Sequence, residues 1–151
     1  MINIRKVESS DRDSWIGMRK ALWPECPDSR HELEIDQILS SNGIVLIAES
    51  SSHDLVGFVE ISLRRDHVEG TNTTPIPYLE AWYVDPTFRG QGIGKALIRQ
   101  AESFALQTGF KQLASDAEVD NYTSIEIYRH LGFREVGRTV HFVRSLIGGT
   151  T

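Results

Sequence analysis

The stretch Arg89-Gly90-Gln91-Gly92-Ile93-Gly94-Lys95 carries the most evident chemistry in this sequence. Glycines let successive backbone N–H groups converge on one point, and a following helix adds the partial positive charge of its N-terminus. Such a turn suits a phosphate. Spacing excludes two common phosphate loops. A Walker A loop needs Gly-x4-Gly-Lys-Ser/Thr, yet Ala96 follows Gly94-Lys95 and Arg89 stands five positions before Gly94. A Rossmann fingerprint needs a third glycine three positions after Gly92, and that position is Lys95. The chain also lacks a second βαβ half of the length a dinucleotide fold requires.

Two carboxylates stand out. Glu80 interrupts the apolar run Tyr78–Val84, and acids in such runs are rare unless paired or functional. Strict alternation places Glu80 on the face of Tyr78, Trp82 and Val84. Asp116 closes the next short run, at the kind of strand end where ligands gather in open α/β sheets. Together with Glu118, Asp120 and Glu135, these acids would attract a cationic ligand. Other chemistries have no support. Cys26 is the single cysteine, so neither an internal disulfide nor a cysteine-based zinc site is available. His31-Glu32 begins like a zinc helix, but Ile35 takes the second histidine position. No Gly-x-Ser-x-Gly nucleophile motif occurs. No metal is expected.

The elements that must position these groups follow from periodicity. Residues 2–7 alternate as an edge strand. Ser10 or Asp11 would cap a helix to about Leu22, with Trp15, Met18 and Leu22 on one face. Pro24 and Pro27 break it, and a second helix over about 29–41 carries Leu33, Ile35, Ile38 and Leu39 up to a left-handed cap at Asn42-Gly43. Runs 44–49 and 55–63 read as a hairpin. A loop over 64–77 precedes the strand Tyr78–Val84, and the helix after the glycine turn reaches about Gln107. Then come a short strand over 112–116, a helix over 121–131, and a last strand or strand pair over 136–146. The 151 residues suit one compact domain, placed at 1–147, with 148–151 as a frayed tail. The net charge of −5 with no basic run argues against a nucleic-acid partner. No apolar segment approaches a membrane span or a signal peptide, so a cytoplasmic location is expected.

The spacing Arg89-x-x-Gly92-x-Gly94 is similar to the pyrophosphate signature of the GNAT N-acetyltransferases. Asn121-x-x-Ser124-x-x-x-Tyr128-x-x-x-Gly132-Phe133 is similar to a second motif of that superfamily. Leu22-Trp23-Pro24, the segment Ser62–Thr71, Tyr78–Val84 and Ala114–Ala117 further resemble the aminoglycoside 6'-N-acetyltransferases, over about residues 1–145. The resemblance implies an α/β (α+β) GNAT fold, with a central mixed, mostly antiparallel sheet flanked by about four helices. It also implies an enzyme that uses acetyl-CoA as co-substrate, a likeness to a dimeric type, and an antibiotic-resistance activity.

Site residues are carried over by the same resemblance. The turn Arg89, Gly90, Gln91, Gly92, Ile93, Gly94 and Lys95 would hold the pyrophosphate. The backbone of Trp82, Tyr83 and Val84 would hold the pantetheine arm, and Asn121 and Tyr128 belong to the cofactor motif. Glu80 and Asp116 would contact the antibiotic's amines, each as base or as anchor, and Tyr128 would protonate the leaving thiolate. Trp23, Cys26 and His67 would line the acceptor site. His67 stands where the family has tyrosine, Cys26 where a related type has histidine, and Gly137 where a substrate-contacting glutamate can occur. Two other readings fit the same motifs: a GNAT enzyme for a different small amine or peptide amine, and a non-catalytic acyl-CoA-binding module.

Overall fold

The computed structural model describes residues 1–148. Met1–Asp116 form one compact unit, and the residues from Ala117 form a second. The first holds β1 (Asn3–Lys6), α1 (Arg12–Leu22), α2 (Asp28–Ser40), β2 (Ile44–Glu49), β3 (Leu55–Arg64), β4 (Ile76–Val84), α3 (Ile93–Gln107) and β5 (Ala114–Ser115). The second holds α4 (Tyr122–His130). The five strands form one sheet in sequence order. Every neighbouring pair is antiparallel except β4 and β5, which run parallel.

Registers fix what each face carries, because paired residues share a face. Phe58, Glu60 and Ser62 of β3 lie opposite Tyr83, Ala81 and Tyr78 of β4, while Val59 and Ile61 lie opposite Trp82 and Leu79. The first face is covered by α1 and α2: Trp15, Met18, Ile35 and Ile38 pack with Val45, Ile47, Phe58, Ala81 and Tyr83. The second is the α3 face, where Leu97 and Ile98 are fully buried and Leu97 lies beside Gly57.

Several details differ from the sequence reading. Asp11 is not a side-chain cap of α1. Its carboxylate turns back to the Glu8 N–H (2.7 Å) and the Arg5 guanidinium (2.7 and 2.9 Å), and this pairing holds its acid below the usual range. In α2 the buried stripe is His31, Ile35 and Ile38, whereas Leu33 and Leu39 are exposed. The helical spacing runs through the histidine, and the two leucines fall off that face. The last expected strand is absent: no residue of 136–146 is in a strand. A strand is stabilised by its ladder partner, and no strand edge pairs with this segment among the described residues, so its apolar side chains stay exposed, Phe142 at 92%. Of the expected tail, only Gly148 falls within the described residues.

The α1–α2 layer is locked by a buried guanidinium. Arg19, 2% exposed, donates from Nη1 to both Glu60 oxygens at 2.5 Å, from Nε to His31 Nδ1 at 3.1 Å, and from Nη2 to Glu34. Trp15 Nε1 completes the shell of Glu60 at 2.8 Å. Burial pushes the Glu60 carboxyl up, against the opposing pull of Arg19. Removing one partner of such a pair costs about 3–5 kcal/mol, because the other charge stays buried. Arg19→Ala is therefore expected to lose about that much stability in urea unfolding, and Arg19→Met/Glu60→Leu to recover part of it. A loss under about 1 kcal/mol for the single variant would show that the pair behaves as a surface one.

Candidate active site

β4 contains one residue more than its partner can match. Ala81 pairs with Glu60 and Leu79 with Ile61, so Glu80 is the extra residue of a β-bulge. A bulge re-aims a side chain and reverses the alternation beyond it. Glu80 and Tyr78 therefore share the α1–α2 side, as expected, but Trp82 and Val84 lie on the α3 side, which simple alternation did not foresee. Glu80 accepts from the Ser62 hydroxyl and from Arg64 Nε and Nη2 at 3.0 and 2.8 Å.

Glu80 opens on a cavity of about 750 Å³ whose lining includes Trp23, Cys26, Glu34, Glu60 and Ser62. Pro24 and Pro27 confine Trp23 and Cys26 to the short connection between α1 and α2, and that connection forms one rim. The Trp23 ring stacks on His31, centroids 6.4 Å apart, with the Arg19 guanidinium 5.0 Å from its centroid. Cys26 is a half-buried free thiol. Its sulfur, His31 and Glu34 have ligand atoms within 4.8 Å of one another. The His31 Nδ1 lone pair already accepts from Arg19, and a guanidinium beside the cluster opposes a further cation.

Asp116 follows β5 and accepts from the Tyr78 hydroxyl. Burial, and then this carboxylate, push the Tyr78 phenol up. Arg64 lies 3.5 Å over the Tyr78 ring, so Glu80, Tyr78 and Asp116 form one connected group. Neither Asp116 nor His67 is among the residues lining the cavity, and His67 is exposed in the loop over 65–75. Sequence reasoning passed over Arg19, Glu34, Glu60, Ser62 and Arg64. Glu60 was findable, since it interrupts β3 as Glu80 interrupts β4. Arg64 gives no local signal.

At the other end of β4, Asp85 accepts from the Thr87 N–H (2.9 Å) and hydroxyl (2.7 Å). Arg89 Nε donates to the Val84 carbonyl at 2.8 Å, with its guanidinium 5.8 Å from the Tyr83 ring centroid. Tyr83 itself is buried against Phe58, so only its backbone is left to meet a ligand. Gly90 and Gly92 take φ of 79° and 81°, and Gly92 is the N-cap of α3. Gly94 is small for another reason: a Cβ there would sit 3.1 Å from the Trp82 indole, whose Nε1 donates to the Gly94 carbonyl at 3.1 Å. Gln91 and Lys95 are exposed and Ile93 is buried. The turn thus presents backbone N–H groups at a helix start, an anion cradle. The β4–β5 ladder runs only through Tyr78↔Ala114 and Leu79↔Ser115, so the two strands part beyond Leu79.

In the second unit, Asn121 caps α4 by accepting from the Ser124 N–H at 3.1 Å. Tyr128 meets Phe133 edge to face at 5.1 Å, and Gly132 takes φ 95°. Glu135 pairs with Arg138 at 2.8 Å. For the glycine turn, Gly92→Ala forces a Cβ into the left-handed region, which costs about 1–2 kcal/mol. Urea unfolding is expected to show that loss, whereas a neutral substitution would mean that the turn does not hold this conformation.

The acetyltransferase (GNAT) family model matches residues 7–133. Aminoglycoside N(6')-acetyltransferase type 1 of Stenotrophomonas maltophilia is 35% identical over 92% of this chain and 90% of its own length. The protein of the same name from Acinetobacter genomosp. 13 is 36% identical over 96% and 99%. AAC(6')-Iy, solved in complex with the bisubstrate analog CoA-S-monomethyl-acetylneamine, superposes with a TM-score of 0.88 at 31% identity, covering 96% of this chain and 99% of that one. AAC(6')-Ih from Acinetobacter baumannii gives 0.87 at 33% identity, covering 97% and 99%. The expected fold is the observed one: a mixed five-stranded sheet with four helices. With its glycine turn at the start of α3 and its bulged acid in β4, the chain belongs to the GNAT acetyltransferase family, among relatives named aminoglycoside N(6')-acetyltransferase type 1.

Proposed function

We propose that this chain transfers the acetyl group of acetyl-CoA to the 6'-amine of aminoglycoside antibiotics, by direct attack in a ternary complex, and so confers resistance. The observation that carries the reading is β4 itself. One end opens into an anion cradle, and its bulge turns Glu80 into an acid-lined cavity. A phosphate-bearing acyl donor and a polycationic acceptor would thus meet along one strand. AAC(6')-Iy binds both halves of such a pair as one bisubstrate analog, which supports the same arrangement here.

In the proposed step the acceptor nitrogen attacks the thioester carbonyl, the C–N bond forms and the C–S bond breaks. The amine gives up a proton, and the thiolate leaves as the thiol of CoA after taking one. Holding both substrates in line is the larger part of the catalysis. Pantetheine would run along the outer edge of β4 at Trp82–Val84, where a backbone N–H facing the carbonyl oxygen stabilises the oxyanion by about 2.7–4 kcal/mol. Glu80 or Asp116 takes the amine's proton or anchors its charge. The motif gives Tyr128 the proton donated to the thiolate. A thiol pKa of about 8.5 makes that help modest. Trp23, Cys26 and His67 are assigned to the acceptor side, and no metal has a part.

The proposal also comprises one GNAT domain over residues 1–147, a cytoplasmic location and a homodimer. Apolar Val140, Phe142, Val143, Leu146 and Ile147 are exposed within one stretch of chain, and clustered exposed apolar residues support association. No helix of the described residues is long and apolar enough to cross a membrane.

The test is incubation of the protein with acetyl-CoA and kanamycin, with the product mass measured and the acylated nitrogen located by NMR. One added acetyl group on the 6'-nitrogen is expected. No turnover of any aminoglycoside with a free 6'-amine would overturn the reading. Acetylation of spermidine or of a peptide amine instead would favour a different amine enzyme, and acetyl-CoA binding without turnover a non-catalytic module. Tyr128→Phe is expected to lower turnover while keeping acetyl-CoA affinity.

A further inference from the structure

We propose that Arg64 is a specificity-determining residue: its guanidinium occupies the place of an acceptor cation on Glu80 and must be displaced by the incoming polyamine. The inference rests on the acetyltransferase reading and deepens it, since it concerns which cations the acceptor site admits.

Both oxygens of Glu80 are taken in this structure. Oε2 accepts from the Ser62 hydroxyl and from Arg64 Nε, and Oε1 accepts from Arg64 Nη2. An ammonium ion that is to be anchored or deprotonated by Glu80 must reach one of them. The guanidinium also lies 3.5 Å over the face of Tyr78, whose hydroxyl is bound to Asp116. A carboxylate, an aromatic face and a second carboxylate behind it are what a protein offers a cationic ligand. Here an internal side chain has accepted the offer.

Comparison with Arg19 separates a removable cation from a structural one. Both arginines pair with a glutamate on the same sheet face. Arg19 is 2% exposed and tied to Glu60, Glu34 and His31, so its departure would open the core. The Arg64 side chain is 43% exposed and stands as the last residue of β3, where the loop over 65–75 begins. It can swing into water and leave Ser62 to hold Glu80. While it stays, it cancels the Glu80 charge. A monoamine then exchanges one cation for another with little gain, whereas a polycation brings further charges for the remaining acids. Arg64 thereby sets a threshold that favours polycationic acceptors.

The test is steady-state kinetics and calorimetric titration with kanamycin, comparing wild type with Arg64→Ala, Arg64→Gln and Arg64→Lys. An exposed pair of this kind is worth up to about fivefold in affinity. Arg64→Ala and Arg64→Gln are expected to lower the kanamycin KM and Kd about fivefold and to leave the acetyl-CoA KM where it was. Arg64→Lys should remain near wild type. Arg64→Gln keeps the side-chain stem, and circular dichroism melting confirms that each variant is folded. An unchanged KM, or a fall in kcat with KM unchanged, would overturn the proposal, the latter assigning Arg64 to the positioning of Glu80. Failure of the broader reading is read separately, as absence of kanamycin acetylation by the wild-type protein.

Discussion

The rest of this site depends on one misfit in a hydrogen-bond ladder. Because β4 carries one residue more than β3 can pair, Glu80 is pushed out of register and the strand changes sides at that point. Before the bulge, Tyr78 faces α1 and α2. After it, Trp82 faces α3 and closes on Gly94. A regular strand would send Tyr78 and Trp82 to the same face, and one of the two groupings, the Glu80–Tyr78–Asp116 group or the packed glycine turn, would be lost. The bulge therefore gives one strand two chemically different stretches, an acid-bearing one before it and a packed glycine-turn one after it. It also bends the strand, in keeping with the ladder to β5 ending at Leu79.

Around this strand the protein uses the same ion pair in two ways. Arg19 and Glu60 are buried beneath α1 and α2 at the floor of the cavity, and there a charge left alone would be costly. The pair fixes the helical layer that carries Trp23 and Cys26. Arg64 and Glu80 lie one turn of the pleat further along, half in water, where ion pairs contribute little to stability and exchange readily. On the proposal made for Arg64, the inner pair keeps the cavity in shape while the outer pair is the one that a cationic acceptor would exchange with. Glu34 links the two regimes, because it is held by buried Arg19 yet is itself only part-buried.

Much of this was legible in the sequence. The helices and the first strands follow from periodicity and from Pro24, Pro27, Asn42 and the glycines. The position of the glycine turn at the start of α3 follows from the spacing of Gly90, Gly92 and Gly94. Glu80 drew attention as an acid in an apolar run. What escaped depends on pairing between distant segments. The bulge cannot be read from β4 alone, because it is a mismatch with β3. Arg64 is an ordinary strand-end arginine until pairing with β4 sets it opposite Ile76, from where its side chain reaches over Tyr78 to Glu80. Of the apolar residues that α2 carries, Leu33 and Leu39 stay exposed because the buried stripe runs through His31. The segment over 136–146 has the residues of a strand but, among the described residues, no edge pairs with it. Sequence supplies the propensity and the partner supplies the strand.

On the proposed function, the bulge aims Glu80 at the acceptor and not at the acyl donor. The most direct test is Glu80→Gln, which keeps the size of the side chain and a hydrogen bond to Ser62 but removes the charge. Steady-state kinetics are predicted to show kcat/KM for kanamycin falling about tenfold or more, with the KM for acetyl-CoA unchanged. An unaltered kanamycin kcat/KM, or a loss confined to acetyl-CoA, would contradict the account.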